Sequence, residues 1–284
     1  IGGKISYSNE KNLAATTSGS LNGSAFNTGG LGRLAFVLPP IISPYKNDGT
    51  YNTNGAAIGS ANITGTSNLS YYNPVVSLDL NRSNSENNRI QSNAYAQLKP
   101  VDWLTIKTVY GIDYLLVDND IFWSPVAGDG YSFNGYAWAG AEKYKTSLWT
   151  NTVQFDHTFL EKHNVNVLVG NEQQRRTSSG YGVQRQGLSD LAYNVVQAGF
   201  TTNNPADLFL GENYLLSNFG RLNYNYDGKY FVSGNLRQDE YSALGVKKGT
   251  FWGVSAGWEV TKEAFWAKAG LNKIFSSFRL RGSY

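Results

Sequence analysis

Residues 223–239, NYNYDGKYFVSGNLRQD, constrain the fold of this chain more than any other stretch. Its side chains alternate, and Asp227-Gly228 breaks the run where a tight hairpin would turn. One face carries Asn223, Asn225, Ser233, Asn235, Arg237 and Asp239, and the other Tyr224, Tyr226, Tyr230, Val232 and Leu236. Period 2 with aromatics crowding the turn describes two antiparallel strands standing between two different environments.

The same pattern recurs. In 103–114, Leu104, Ile106, Tyr110, Ile112 and Tyr114 oppose Thr105, Lys107 and Asp113, with Val109 out of place. In 147–159, Trp149, Val153, Phe155 and Phe159 oppose Thr150, Thr152, Gln154 and Asp156. Residues 164–172 set Val165, Val167 and Val169 against Asn164 and Asn166, and the short link 160–163 makes these two runs a hairpin. Strands are also expected at 88–100, 250–260 and 275–284, with one helical turn at 261–268. Alternation alone leaves two solvents open for the apolar face, lipid or the core of a soluble sandwich.

Connection lengths separate the two. Links near 99–102, 160–163 and 227–229 are short, whereas 115–145, 173–216 and 238–249 read as long segments rich in Gly, Asn, Ser and aromatics. Short turns at one end and long loops at the other are the habit of an outer-membrane barrel. No run of about 18 apolar residues exists; the longest apolar stretch, 34–42, is broken by two prolines, so a helical membrane protein is excluded. The net charge is +3 and no Lys/Arg block stands out, which makes nucleic acid an unattractive partner. There is no cysteine, hence no disulfide framework or thiolate site. There is no methionine either, and the chain ends within an alternating run, so an internal piece of a longer protein is expected.

The C-terminal third carries a more specific pattern. Arg221, Asn223 and Tyr224 fit an R-x-N-Y strand; Tyr226, Lys229 and Tyr230 the following turn; Arg237, Asp239 and Ser242 the end of the next strand. Ser255 and Trp258, then Glu263 and Phe265, then Leu280, Arg281, Ser283 and Tyr284 complete the order. This stretch resembles the SusC/RagA-type TonB-dependent transporters of Bacteroidetes. Residues 39–51, 73–78 and 103–114 fit the family more loosely. Two departures concern local loop shape: RQDEYSALG lacks the usual Gly after the Asp, and FWGVSAGW lacks a Pro before the Ser.

The resemblance implies an all-β fold, a transmembrane antiparallel β-barrel of roughly 22 strands with a plug and long extracellular loops. Residues 1–284 would be part of one such barrel domain, some ten strands of wall, with the plug and any N-terminal extension elsewhere. It implies TonB-dependent import of an oligosaccharide or peptide across the outer membrane. The partners would be outer-membrane lipid, a SusD-like surface lipoprotein, TonB–ExbB–ExbD acting through the missing N-terminal part, and a second transporter–lipoprotein pair. The rivals are a passive porin-type barrel and a soluble β-sandwich that binds glycans.

No catalytic constellation is evident, so an enzyme is not expected, nor a cofactor or metal. His157 and His163 bracket a turn without convergent carboxylates and read as interfacial or solvated. Asp118 and Asp120 lack the Gly and distal Glu of a calcium loop and read as a solvated loop. GGLGR (29–33) lacks the Gly-Lys-Ser/Thr of a phosphate cradle. The sequons at Asn22, Asn62 and Asn68 carry no weight in a bacterial protein. The candidate binding residues are aromatics expected on the loop 122–138: Phe122, Trp123, Tyr131, Phe133, Tyr136 and Trp138, which could stack on a sugar, grip a peptide, or pack against a lid. Arg221, Arg237, Asp239, Arg279 and Arg281 are expected to face the lumen in charge ladders.

Overall fold

A computed structural model describes residues 1–14, 43–53, 74–126, 130–204, 208–271 and 274–284. The stretches 29–33 and 34–42, residues 39–42 of the early loop, Asn73 and the three sequons lie outside the described residues.

Ten strands form one antiparallel sheet: β1 (Gly2–Ala14), β2 (Arg82–Val101), β3 (Leu104–Trp123), β4 (Tyr136–Phe159), β5 (His163–Leu188), β6 (Phe200–Asn204), β7 (Leu208–Tyr226), β8 (Tyr230–Tyr241), β9 (Lys248–Glu259) and β10 (Arg279–Ser283). Their order in space follows the chain, with β6 a short stub on the top of β5 before β7 takes over that edge. A helix, α1 (Pro74–Leu80), precedes β2. A 3-10 turn (Val260–Lys262) and a short helix, α2 (Ala264–Lys268), lie between β9 and β10, where one helical turn is expected from sequence. No described helix is long and apolar enough to cross a membrane.

Tight turns close one end of the sheet. Asp227 (φ 55°) and Gly228 (φ 63°) are both left-handed, the geometry a two-residue hairpin demands. Leu160 (φ 50°) and Glu161 (φ 60°) make a similar turn without a glycine, a strained choice for side chains of that size. The opposite end differs from the sequence expectation. Residues 115–123, 136–145, 173–188 and 208–216 are strand, not loop, and β5 reaches 26 residues where about ten would cross a bilayer. Asp118 and Asp120 therefore sit on β3 and not in a loop, and Asp120 pairs with Arg82 at 2.5 Å. β1 and β6 carry too weak an alternation to be read from sequence.

The register sorts the two faces. Leu98, Ile106, Val153, Val169, Gly220, Leu236 and Trp252 lie opposite one another in succession from β2 to β9. Nothing among the described residues covers them: Leu98, Val169, Leu236 and Trp252 are each more than half exposed. Below them runs an aromatic row, Phe159, His163, Tyr226, Tyr230 and Trp258, level with the turns. Its rings touch in series, His163–Tyr226 at 4.9 Å, Tyr226–Tyr230 at 6.3 Å and Tyr230–Trp258 at 6.5 Å. A soluble sandwich would bury such a face against a second sheet, and none is present among the described residues.

The apolar band stops part way up. On β5 the same face continues as Asn171, Gln173, Arg175, Thr177 and Ser179. At the loop end the 189–204 segment folds back over it. Phe122, Ala137, Leu188 and Phe200 form a small buried cluster with Val196 beside it. Arg185 donates to the carbonyls of Val196 (2.8 Å) and Phe200 (2.9 Å), and Arg82 to that of Asn194 (2.8 Å).

Candidate functional site

The polar face pairs its charges within the sheet. Arg237 bridges Glu172 (3.3 Å) and Asp239 (2.8 Å), donates to Ser217 Oγ (2.9 Å) and lies 5.7 Å over the Phe219 ring. Arg279 pairs with Glu259 at 2.7 Å, and Arg89 clamps Asp113. The charge ladders expected from sequence therefore exist for Arg237, Asp239 and Arg279. Arg221 and Arg281 make no ion pair among the described residues. His163 shares a 2.8 Å hydrogen bond with Tyr224, His157 stacks edge-on against Phe159, and no group of residues suited to a metal ion occurs among those described.

The six predicted aromatics do not form one set. Phe122 ends on the apolar face, 4% exposed within the Phe200 cluster, because β3 runs past it and the 189–204 segment covers it. It is a packing residue, and the loop between β3 and β4 shrinks to 124–135. Trp123 and Tyr136 are cross-strand partners on the polar face and stack at 4.4 Å. Phe133 leans on Tyr136 at 5.8 Å, and Tyr131 is 71% exposed at the loop tip.

This loop is pinned in place. Asn134 (φ 48°) and Gly135 (φ 88°) turn the chain, and Gly135 N–H donates to the Gly130 carbonyl at 2.9 Å. The backbone of Gly187 and Leu188 then donates to the carbonyls of Phe133 (3.1 Å) and Asn134 (2.6 Å), tying the loop to the end of β5. An aromatic surface held by main-chain bonds keeps its shape before anything binds.

Trp138 lies below, also on the polar face. Its indole rests across the cross-strand pair Gly140–Gly182: a methyl group added at either glycine would meet the ring at 2.8 Å. One step along β5, Gly180 is covered in the same way by Phe209, its direct partner on β7. Phe209 is absent from the sequence-based set. Its signal was the Gly-Tyr-Gly of 180–182, legible as an aromatic seat only once β4 and β7 are known to flank β5. Phe133, Tyr136, Trp123, Trp138 and Phe209 thus follow one another down the polar face from the loop end. Glu142, opposite Gly180, edges this strip and accepts a 2.6 Å hydrogen bond from Tyr144 Oη. The strip offers ring faces with the Glu142 carboxylate and the Gln184 amide at its side.

No family model matches the chain. Over 90% of its length it is similar to the TonB-dependent receptor P26 of Formosa agariphila, at 25% identity. It is 27% identical, over 91% of its length, to the TonB-dependent receptor SusC of Bacteroides thetaiotaomicron. The chain spans about a quarter of the length of these relatives, 25% of the first and 26% of the second. Among solved structures, the RagAB peptide importer in its closed-closed state superposes on 99% of the chain with a TM-score of 0.72 at 20% identity, the match covering 30% of that protein's chain. Its open-open state gives 0.70 at 19% identity. The resemblance read from the C-terminal motifs is borne out, and the sheet has the fold of a stretch of TonB-dependent transporter barrel wall.

Proposed function

We propose, from a chain that reads and folds as barrel wall of a SusC/RagA-type TonB-dependent transporter, that the whole protein imports an oligosaccharide or peptide across the bacterial outer membrane. One observation carries this reading: the uncovered apolar band, bordered by an aromatic row at the turn end, backed by a wet, ion-paired face. Lipid suits the first face and aromatic residues suit its border. A water-filled or plugged lumen suits the second. All 284 residues then belong to one barrel domain, and the open edges at β1 and β10 need further strands to close them, since bilayer lipid cannot satisfy free backbone groups.

In this reading the turn end lies in the periplasm. The long strands carry the polar face and its aromatic strip beyond the membrane surface, where a SusD-like lipoprotein would cap the mouth. TonB–ExbB–ExbD would act on a plug contributed by the rest of the protein, and two transporter–lipoprotein pairs would form the assembly. The relatives' names are those of receptors and transporters, which supports transport over catalysis. No step requires a cofactor in this part of the protein.

The test is uptake and composition together. The native protein, extracted from outer membranes in detergent, is expected to bring plug peptides from its own chain and a co-purifying lipoprotein, both identified by mass spectrometry. Uptake of its nutrient should stop when TonB is removed. A protein that stays in the aqueous phase without detergent, or uptake that persists without TonB, would remove the importer reading; the second outcome would favour a passive porin.

A further inference from the structure

We infer that Lys143 and Lys145 of β4, with Arg175 of β5 beside them, form a binding site for the phosphate of a lipid headgroup in the outer leaflet of the membrane. The inference rests on the lipid-facing reading of the apolar band given above and adds a ligand that is held and not transported.

The band has an upper border as well as a lower one. Tyr110 and Trp149 are direct partners on β3 and β4, each nearly half exposed on the face that carries the band. Trp149 stands about ten residues above Phe159 of the turn-end row, the length of one bilayer crossing by a tilted strand. Aromatic rings at both ends of such a span suit the two interfaces of a bilayer. The next residues of this face on β4 are Ser147, Lys145 and Lys143, so the lysines begin where headgroups would begin.

The two lysines have different neighbours on their two sides. Toward β3 they lie opposite Tyr114 and Leu116, which continue the apolar surface. Toward β5 they lie opposite Thr177 and Ser179, with Arg175 one step below. A lysine in that place lays its methylene stem on apolar surface and carries its ammonium to the polar side. Both lysines are exposed, and neither makes an ion pair among the described residues. Other cations of this face are engaged: Lys11 with Glu86, Arg82 with Asp120, Lys248 with Glu240, Arg175 with Glu212 at 2.6 Å, and Arg185 with two backbone carbonyls. Asp118, opposite Ala141 and one step beyond Lys143, makes no ion pair with it.

Two neighbouring ammonium groups without a counter-charge, flanked by hydroxyls, suit an anion with several acceptor oxygens, and a phosphate has them. The apolar flank at Tyr114 and Leu116 selects a phosphate that arrives on an apolar body. A phosphorylated lipid meets both demands, with its chains along the band and its headgroup at the lysines. Each cation near a charged lipid surface strengthens attachment severalfold.

The test uses the full-length protein purified in detergent, with native mass spectrometry counting bound lipid. The probes are monophosphoryl lipid A and its dephosphorylated form. The phosphorylated form is expected to be retained about tenfold better or more. Lys145→Ser should cut that preference about fivefold, Lys143→Ser, which has Asp118 nearby, about twofold, and the double variant should abolish it. Lys107→Ser removes a lysine from the opposite face and should leave retention unchanged; heat-modifiable gel mobility checks assembly of every variant. Equal retention of the two lipids by the unmodified protein, a preference indifferent to the double variant, or an equal loss in Lys107→Ser would overturn the site. Saturable binding of inorganic phosphate with no preference between the lipids would make this a free-anion site and overturn the lipid reading as well. The earlier reading fails separately: uptake that persists without TonB removes active import while the lipid preference stays, whereas a protein that remains in the aqueous phase without detergent removes both.

Discussion

The turn end and the loop end of this sheet are made from the same strands, yet they obey different rules. Toward the turns, β5 reads Val165, Val167, Val169 against Asn164, Asn166 and Leu168, and its neighbours repeat the contrast. Toward the loops, the same strand reads Gln173, Arg175, Thr177 and Ser179 on the first face and Gln174, Arg176, Ser178 and Gly180 on the second. The lower half has one apolar and one polar face, and the upper half is polar on both. Backbone pairing holds both halves equally well, so it is the surroundings, and not the strand, that set the pattern.

The largest effect should come from placing a charge in each half on the same face. Val169→Arg puts a guanidinium in the exposed apolar row, where the bilayer midplane would penalise it by about 2–4 kcal/mol. Gln173→Arg, four residues on and on the same face, should change stability by less than about 0.5 kcal/mol. Unfolding of the full-length barrel from lipid vesicles in denaturant measures both. Equal effects would mean that no lipid boundary crosses β5 between these residues, and the contrast of the two halves would collapse.

Next in size is the small core that the loop end builds for itself. Phe122→Ala empties the centre of the cluster with Leu188 and Phe200. In a full core such a truncation costs about 3–5 kcal/mol; in a shallow satellite cluster about 2 kcal/mol is expected. The loss should be local, because the hairpins below do not share these contacts. Hydrogen exchange should speed up in the 189–204 segment and stay unchanged around Asp227-Gly228. Exchange that accelerates throughout the sheet would instead make the two ends one cooperative unit.

This division also explains what the sequence made legible. Period 2 is visible wherever one face is apolar and uncovered and the other polar, so the hairpins at 160–163 and 227–229, the helical turn at 261–268 and the family motifs all stand where expected. Above the apolar band both faces are polar, alternation disappears, and strand reads as loop; 173–188 is the clearest case. The candidate site suffered from the same cause. If β3 ends early, Phe122 reads as a loop aromatic, although it adjoins Trp123 in the chain and lies on the opposite face of the sheet from it. Phe209 was missed because its significance lies in sitting on Gly180, a relation between strands that spacing along the chain does not express.

The smallest expected effect lies at the turn end, in the segment between β9 and β10. Glu263 caps α2 from outside the sheet. Its carboxylate accepts from Tyr230 Oη at 2.5 Å and Trp258 Nε1 at 3.2 Å, with Lys229 Nζ at 3.8 Å. The Tyr230 hydrogen bond first, then that of Trp258, hold its pKa below the ordinary glutamate range, with a smaller pull from the Lys229 charge. The sign follows from linkage. A carboxyl whose folded pKa lies below its unfolded value near 4.3 contributes stability at pH above that value and loses it as pH falls through the folded pKa. The 260–278 segment should therefore keep its exchange protection from neutral pH down to about pH 5 and loosen only in more acid solution. Glu263→Gln, which keeps the shape and removes the charge, should loosen it slightly at neutral pH and abolish the acid-dependent step. Because the clasp lies beyond the last turns of the sheet, the effect on global stability should be slight; a shift of the whole barrel's unfolding with Glu263→Gln would show that the turn-end clasp is coupled to the wall above it, and that the two ends are less independent than their side chains suggest.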